Sequence, residues 1–216
     1  MNRSVLSALS AARIVPVVEI EDAASVVPLV DALRDAGLTS IEVTLRTPAA
    51  IEAIRIVTSE RPAFLVGAGT VTNTADVDAV ASAGANFLVS AGRTDALSGA
   101  AEEVGLDLIP GAVTPSEILA AVDAGHRHVK FFPAGAYGGP SAIRALAGPF
   151  PASTVRFMPT GGVRPENLSD YLALDAVFAV GGTWIAPRDL LREKRFDLIT
   201  DRAATAVRAA RAGEAS

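Results

Sequence analysis

The chain has 216 residues, contains no cysteine and carries a formal net charge of −5 at pH 7. The lack of cysteine excludes a disulfide framework and a thiolate metal site, and an acidic chain without a basic cluster is a poor partner for nucleic acid. Half of the residues are apolar, yet no apolar run approaches the ~18 residues that span a bilayer. We therefore expect a cytoplasmic protein with a buried aliphatic core and neither a membrane nor a nucleic-acid partner.

Apolar, β-rich runs alternate with amphipathic helical stretches along the chain. The runs begin roughly every 20 to 28 residues, with Pro, Gly, Asn, Asp or Thr at the breaks between them. Glycine follows several of the helical stretches, as is typical of helix ends. The predicted strands cover residues 14–20, 40–45, 64–71, 87–92, 106–113, 128–133, 156–161 and 177–181. The predicted helices cover residues 23–36, 48–59, 75–83, 95–104, 115–124, 141–147 and 165–174.

Eight strand–helix units without a linker or a change of composition predict a single domain, residues 1–216. In this number, parallel strands joined by crossover helices form a (β/α)8 TIM barrel, for which ~200 residues is near the lower size limit. Residues 1–15 add an extra N-terminal helix that could plug the bottom of the barrel. The alternative is a doubly wound open sheet. A dinucleotide-binding sheet of that kind needs a glycine-rich turn after its first strand, and residues 18–22 contain no glycine.

Lysine is scarce in this chain, which has seventeen arginines and two lysines, Lys130 and Lys194. Lys194 lies in a charged C-terminal segment, whereas Lys130 lies in the apolar sixth strand, where burial against Phe131 and Phe132 would disfavour its charged form. A desolvated lysine, unlike an arginine, can lose its proton and attack a carbonyl carbon. We therefore predict a Schiff-base lysine at position 130. The alternatives are a purely structural buried ion pair with Glu42 and a lysine whose ammonium reaches solvent.

Successive side chains of a strand point to opposite faces of the sheet. This alternation predicts that Lys130 of the sixth strand and Glu42 of the second strand lie on the same face. Val129 and Phe131 are expected to point outward, toward the helices, so Lys130 points inward, and Glu42 of the second strand does the same. Glu42 is then the natural carrier of protons for the imine and the substrate hydroxyl. Arg46, at the end of that strand, suits a bidentate grip on a carboxylate. Two alternatives stay open: Glu42 pairs with Arg46, or Arg46 is a solvated rim residue.

Two glycine pairs end the seventh and eighth strands: Gly161-Gly162 and Gly181-Gly182, the second followed by Thr183. In TIM barrels the loops after these two strands often bind phosphate through backbone N–H groups. The two pairs therefore predict a phosphate site, with plain turns as the alternative.

The third strand ends in Gly-Ala-Gly followed by Thr70. Small residues there allow a ligand to approach the backbone, and Thr70 adds a hydroxyl, whereas tight packing is the alternative reason for the glycines. His126 and His128 suggest a metal site. We reject it because His126 precedes the sixth strand, away from the expected active edge, and the chain has no further histidine. Neither a metal nor an organic cofactor is expected.

Four segments resemble the signature segments of the KDPG/KHG aldolase family. Members of this family are class I aldolases that act on 2-keto-3-deoxy-6-phosphogluconate (KDPG) and 4-hydroxy-2-oxoglutarate (KHG). The segments are residues 42–47 (EVTLRT), 66–71 (VGAGTV), 129–134 (VKFFPA) and 159–163 (PTGGV). The resemblance extends from about residue 14 to about residue 201, with the segments in the family's order.

The resemblance implies a homotrimeric (β/α)8 barrel that forms a Schiff base with pyruvate and needs no metal, in the Entner–Doudoroff pathway of carbohydrate metabolism. It assigns the Schiff base to Lys130 and proton transfer to Glu42. The implied reaction is the reversible cleavage of KDPG to pyruvate and glyceraldehyde 3-phosphate, with KHG or 2-keto-3-deoxy-6-phosphogalactonate as the alternative substrate. The implied substrate contacts are Arg46 and Thr70 to the pyruvate carboxylate, Thr160 in the same pocket, and Gly161, Gly162, Gly182 and Thr183 to the phosphate.

Two positions depart from the family pattern: Thr183 stands where serine is usual, and Ala91 stands where proline is common. Both are expected to border the pocket, so both bear on the substrate range. Two interpretations from other functional classes remain. One is an isomerase or epimerase barrel with Glu42 as the base and Lys130 as a simple cation, and the other is a non-catalytic protein that binds a phosphorylated ligand.

Overall fold

The computed structural model describes residues 5–212, in which parallel β-strands alternate with helices. Within that range the strands are Ile14–Val18 (β1), Ser40–Thr44 (β2), Leu65–Gly69 (β3), Phe87–Val89 (β4), Asp107–Ile109 (β5), His128–Phe131 (β6), Arg156–Pro159 (β7) and Val180–Gly182 (β8). The α-helices in it are Val5–Ala12 (α1), Val26–Asp35 (α2), Ala50–Glu60 (α3), Thr74–Ser82 (α4), Asp95–Glu103 (α5), Pro115–Asp123 (α6), Gly139–Leu146 (α7), Leu168–Leu172 (α8), Arg188–Arg192 (α9) and Phe196–Ala212 (α10). Single 3-10 turns, Ala23–Ser25 and Pro165–Asn167, precede α2 and α8.

Strands that follow one another in the sequence lie side by side and run parallel. Six of them form one sheet in the order β5-β4-β3-β2-β1-β8, and β6 and β7 form a second sheet. In a doubly wound sheet the second neighbour of β1 is β3 or β4, whereas here it is the last strand, β8, so that alternative is wrong. The predicted parallel α/β architecture is confirmed.

Buried apolar side chains fill both faces of the strands. The outer layer, between strands and helices, contains Ile41, Val43, Val129 and Phe131, which confirms the outward direction predicted for Val129 and Phe131. On the opposite face lies a smaller group, here called the inner cluster, which draws on strands of both sheets. Its members are Leu9, Val15, Phe87, Val89, Ile109, Met158, Phe178 and Ala179.

The N-terminal helix α1 covers one end of the inner cluster. Its Leu9 is fully buried, and Val5 and Leu6 pack against the same cluster. Leu65 and Phe87, which contribute to this contact region, are the first residues of β3 and β4, so α1 lies at the amino ends of the strands. The predicted leading helix is therefore present, and residues 1–4 of the predicted segment lie outside the described range.

The approach to β8 contains a β-bulge. Two bridges, Phe157↔Val177 and Thr160↔Gly181, connect this segment to β7 and the residue after it. The bridged residues are three positions apart on the β7 side and four positions apart on the β8 side, so the β8 side contains one extra residue, as in a bulge. The extra residue lets both 178 and 179 join the inner cluster. It also turns Gly181 toward Thr160, so closely that a Cβ built on Gly181 would overlap the threonine hydroxyl.

Side-chain capping sets the starts of α4, α5 and α6, where Asn73, Thr94 and Thr114 each accept a hydrogen bond from a backbone amide of the first turn. The Thr114 hydroxyl accepts a hydrogen bond from the Glu117 amide at 3.3 Å, and the Glu117 carboxylate accepts one from the Thr114 amide at 2.9 Å. This is a capping box at the start of α6. The predicted start at residue 48 is wrong: α3 begins at Ala50, because the Thr47 hydroxyl donates to the Ile20 carbonyl instead of capping the helix.

Two helices, α9 and α10, follow β8. α10 packs against α2, where the Thr200 hydroxyl donates to the Ala32 carbonyl at 3.2 Å. Its buried face consists mainly of small residues, Ile199, Ala203, Ala206 and Ala210, so its apolar periodicity is weak in the sequence. Among the helices of residues 5–212, none is both long and apolar enough to cross a membrane.

We expect Leu9→Ala to lower the free energy of unfolding by about 2 to 5 kcal/mol, because it removes a fully buried side chain and leaves a cavity. The measurement is the urea unfolding midpoint. The matched control is Ala11→Ser on the exposed side of the same helix, which should change the free energy of unfolding by less than about 0.5 kcal/mol. Equal effects of the two substitutions on the free energy of unfolding would contradict the packing of α1 against the inner cluster.

Candidate active site

The side chains of Lys130, on β6, and Glu42, on β2, meet on the inner side of the strands. Lys130 Nζ donates a hydrogen bond to Glu42 Oε1 at 2.9 Å, and the two residues are 5% and 0% exposed. Strand alternation brings them there, since their neighbours in the chain lie in the outer layer. Because β2 and β6 belong to different sheets, this contact joins the sheets across their inner side.

One aromatic ring and one glycine shape the environment of this pair. Lys130 Nζ lies 5.3 Å from the centre of the Phe132 ring. Phe131, the other aromatic neighbour expected from the sequence, instead packs edge-on against Phe157 in the outer layer, with ring centres 6.2 Å apart. A Cβ built on Gly69 would overlap the Glu42 carboxylate, so the glycine provides the space that Glu42 occupies.

Two buried oxygens at this site have no hydrogen-bond partner among residues 5–212: Glu42 Oε2 and Thr160 Oγ1. A buried acceptor without a donor costs roughly 1 to 3 kcal/mol. Glu42 thus holds Lys130 with one oxygen, while its other oxygen accepts no hydrogen bond from the described residues. Thr160, directly after β7, offers a hydroxyl at the carboxyl end of a neighbouring strand.

Arg46 and Thr70 lie where β2 and β3 end. The Arg46 side chain is exposed, and within the described residues it forms no ion pair, so Glu42 pairs with Lys130 and not with Arg46. Thr70 has a φ of +60°, a left-handed conformation that β-branched residues rarely adopt. Backbone strain of this kind concentrates at functional sites.

Similarity to known proteins identifies the family of this chain. A family model described as KDPG and KHG aldolase matches residues 5–202. The 2-dehydro-3-deoxy-phosphogluconate aldolase of Dickeya dadantii (strain 3937) is 47% identical over 94% of this chain and 95% of its own. The chain belongs to the KDPG and KHG aldolase family.

Two further relatives extend the comparison. The KHG/KDPG aldolase of Escherichia coli (strain K12) is 45% identical over 95% of each chain. A crystal structure of the KDPG aldolase from Legionella pneumophila, with pyruvate captured at low pH as a covalent carbinolamine intermediate, has a TM-score of 0.89. It is 38% identical, and the match covers 93% of this chain and 97% of that one.

In this KDPG and KHG aldolase family member, the two glycine pairs lie next to each other. Thr160, before the first pair, forms a parallel bridge with Gly181 of the second. Gly161 and Gly162 have φ angles of +83° and +80°, and among residues 5–212 their amides donate no hydrogen bond to a protein acceptor. Free amides of this kind suit an anion. Gly182 is buried and Thr183 is exposed.

Other glycines of the aldolase have a packing role. A Cβ on Gly67 would overlap the Phe87 ring, which favours tight packing over ligand approach at that position. A Cβ on Gly111 would overlap the Ala91 carbonyl, so the end of β5 packs directly on the backbone after β4. Ala91 itself is exposed. The preceding residue, Ser90, is buried, and its hydroxyl donates a hydrogen bond to the Val71 carbonyl at 2.7 Å. The sequence did not single out Ser90.

Both histidines lie at the amino ends of the strands, away from Lys130. Burial lowers the pKa of His126, and the charge of Arg93 acts in the same direction. The ring of His126 hydrogen-bonds the Ser98 hydroxyl at 3.0 Å. Burial also lowers the pKa of His128, whose ring packs edge-on against Phe178 at 4.6 Å. Within the described part of the chain, no three His, Cys, Asp or Glu side chains are grouped closely enough to hold a metal ion.

Proposed function

We propose that this chain is a class I aldolase that reversibly cleaves KDPG to pyruvate and glyceraldehyde 3-phosphate through a Schiff base on Lys130. The observation that carries the proposal is the buried 2.9 Å contact between Lys130 Nζ and Glu42 Oε1, which pairs a nucleophile with a proton acceptor. The names of the Dickeya and Escherichia relatives and the covalent pyruvate adduct of the Legionella enzyme support the same chemistry.

In the first step, the neutral amine of Lys130 attacks the C2 ketone carbon of the substrate. Transfer of a proton from Lys130 Nζ to Glu42 Oε1 produces the nucleophile, and the 2.9 Å separation allows it directly. Loss of water from the carbinolamine then gives a protonated imine, which acts as an electron sink.

In the second step, Glu42 accepts the proton of the C4 hydroxyl, directly or through a water. The C3–C4 bond breaks and its electron pair moves into the imine, which yields the enamine of pyruvate on Lys130 and releases glyceraldehyde 3-phosphate. The second carboxylate oxygen, which accepts no hydrogen bond from any donor within residues 5–212, is available for this transfer. Protonation of C3 and hydrolysis of the imine release pyruvate and restore the amine.

The remaining residues hold the two ends of the substrate. A guanidinium at the strand end suits the pyruvate carboxylate, and two threonine hydroxyls can complete that half of the pocket. Backbone amides at the glycine pairs suit the phosphate. The proposed contacts are Arg46, Thr70 and Thr160 for the pyruvate half, and Gly161, Gly162, Gly182 and Thr183 for the phosphate.

KHG is the second candidate substrate, because the Escherichia relative carries both names. The phosphogalactonate epimer of KDPG is a third, because exposed Ala91 leaves space at the carboxyl end of β4. A panel of the three substrates, with pyruvate release measured through lactate dehydrogenase, separates them. The largest kcat/KM identifies the preferred substrate, and no pyruvate from any of them would refute the aldolase.

We further propose that the two sheets close into one (β/α)8 barrel and that residues 1–216 form a single domain. Hydrogen bonds connect the two sheets at both edges and support closure. Lys130 N of β6 donates to Pro110 O, just after β5, at 2.8 Å, and Phe157 N of β7 donates to Ala176 O, before β8, at 2.7 Å. The Lys130–Glu42 contact adds support, because side chains of β2 and β6 meet only if the strands curve around a shared interior.

A cytoplasmic homotrimer completes the proposal. Large apolar side chains on the surface support association: Leu119 on α6 is 53% exposed and Tyr137, after β6, is 50% exposed. Light scattering during size exclusion should give three times the chain mass of 22.1 kDa. A single-chain mass would refute the trimer.

A borohydride trap tests the mechanism. Incubation with pyruvate and borohydride should reduce the imine and attach the three-carbon unit to Lys130, which peptide mass spectrometry detects. An isomerase that uses Lys130 only as a cation, or a binding protein without turnover, would give no adduct. An adduct on Lys194 alone, or none, would contradict the proposed Schiff base.

We expect Thr183→Asp to raise KM for KDPG at least tenfold and to leave KM for unphosphorylated KHG within a factor of two, since only KDPG brings a phosphate next to the new carboxylate. Thr183 is exposed, so the substitution should fold, whereas Asp at Gly161 or Gly162 would be strained by their positive φ. Thr183→Asn, a neutral change of the same size, is the control. Equal KM increases for both substrates would contradict phosphate binding here.

A further inference from the structure

Glu19 is a carboxylate next to the proposed site that the mechanism does not use. It follows β1 directly, and Val15, four residues earlier, belongs to the inner cluster. Because strand side chains alternate, residues 15, 17 and 19 share the inner face. Val17 is the register partner of Glu42, so Glu19 lies two residues beyond the level of Glu42, toward the carboxyl ends of the strands. The Glu19 side chain is only 17% exposed.

Glu19 also lies close to the proposed phosphate loop. On its other side β1 pairs with β8, and Pro16 is the register partner of Gly182. Continuing that register by one residue places Thr183 beside Val17. Two residues of strand span about 7 Å and adjacent strands are about 5 Å apart, so the backbones of Glu19 and Thr183 are separated by roughly 9 Å.

An arginine neutralises this carboxylate. Arg188, the first residue of α9, forms an ion pair with Glu19 through Nη2, and its Nε lies 3.9 Å from Glu21 Oε1. Glu21 is held mainly by Arg192, whose Nε and Nη2 each donate to its carboxylate at 2.6 Å. These hydrogen bonds lower the pKa of Glu21. A cavity of about 260 Å³ lies beside the two pairs and is lined by all four residues.

We propose that the Glu19–Arg188 pair determines how strongly the enzyme prefers phosphorylated substrates. Without Arg188, Glu19 would repel a phosphate bound at Gly182 and Thr183; the ion pair with Arg188 offsets most of the carboxylate charge and so weakens this repulsion. This inference rests on the proposed aldolase function and concerns substrate binding only. Neither Glu19 nor Arg188 takes part in the chemical steps.

Opposite single substitutions test the proposal. Arg188→Gln leaves Glu19 unpaired and should raise KM for KDPG about tenfold, whereas Glu19→Gln removes the repulsion, releases Arg188 and should lower that KM about threefold. KM for unphosphorylated KHG and kcat for both substrates should stay within a factor of two. Both effects on KDPG should shrink in 1 M salt, where charges are screened beyond about 3 Å.

The Glu21–Arg192 pair is the matched control. It joins the same two segments and is more exposed, at 37% and 63%, so Glu21→Gln and Arg192→Gln should change the KDPG-to-KHG ratio of KM by less than a factor of two. Equal shifts for both substrates, shifts of the same sign in the Glu19 and Arg188 variants, or no shift would overturn the inference. If wild-type protein fails to cleave KDPG and to trap pyruvate on Lys130, the proposed function itself fails instead.

Discussion

Lys130→Arg should abolish the borohydride-trapped pyruvate adduct and lower kcat for KDPG by at least about 10⁴-fold, the scale of losing a covalent nucleophile. Arginine keeps the positive charge that faces Glu42 at 2.9 Å, so the buried ion pair can persist, but a guanidinium does not lose its proton and cannot form an imine. The substitution therefore separates the Schiff-base role from the alternative in which Lys130 is only a buried cation. The measurements are peptide mass spectrometry of the trapped protein and steady-state pyruvate release.

The chain provides a matched control, because it contains one other lysine. Lys194→Arg makes the same chemical change in the segment between α9 and α10, so kcat and the adduct on Lys130 should remain at wild-type levels. The thermal midpoint of Lys130→Arg must also be measured, since a larger group in a site that is 5% exposed can strain its surroundings. A folded Lys130→Arg variant with full activity would refute the Schiff base.

Glu42→Gln should lower kcat by about 10² to 10⁴-fold, the range typical of losing a general acid–base residue. Glutamine has the size of glutamate and can still accept a hydrogen bond from Lys130, but it cannot take the proton of the amine or of the C4 hydroxyl. Imine formation should slow, and exchange of the pyruvate methyl protons with deuterated solvent, which reports enamine formation, should fall by a similar factor. Proton NMR measures this exchange without the second substrate.

The exchange assay separates catalysis from stability. A purely structural role of Glu42 predicts a lower thermal midpoint, because an ammonium without its carboxylate is costly in a buried site, but nearly normal exchange in the fraction that remains folded. Glu103→Gln, an exposed carboxylate at the end of α5, should alter neither exchange nor kcat. Exchange by folded Glu42→Gln within tenfold of wild type would contradict the proton-transfer role.

Much of the site was accessible from the sequence because it depends on local patterns. Strand alternation predicted the inward direction of Lys130 and Glu42, and their outward neighbours lie in the outer layer. The scarcity of lysine in the chain makes Lys130 conspicuous within its apolar strand. Residue-type preferences at strand ends singled out Arg46 and Thr70, since function in parallel α/β proteins concentrates at the carboxyl ends of strands.

Other features depend on contacts between distant segments and left no such pattern. The packing role of Gly69 follows from the position of the Glu42 carboxylate, and the bulge before β8 follows from its pairing with β7. The Thr47 hydroxyl looked like part of a helix start, but it bonds the Ile20 carbonyl of another unit. In each case a tertiary contact overrode a local preference.

By itself the sequence determined the order of the strand–helix units, the inward direction of Lys130 and Glu42, and the family, because these follow from periodicities of two and 3.6 residues and from short motifs. Only the tertiary structure decided between the possible partners: Glu42 pairs with Lys130 across 88 residues of chain and not with Arg46, and Glu21 pairs with Arg192 across 171. Such pairings depend on how the strands curve together and on where α9 docks. No local pattern encodes either, because the partners become neighbours only when the sheets and helices pack.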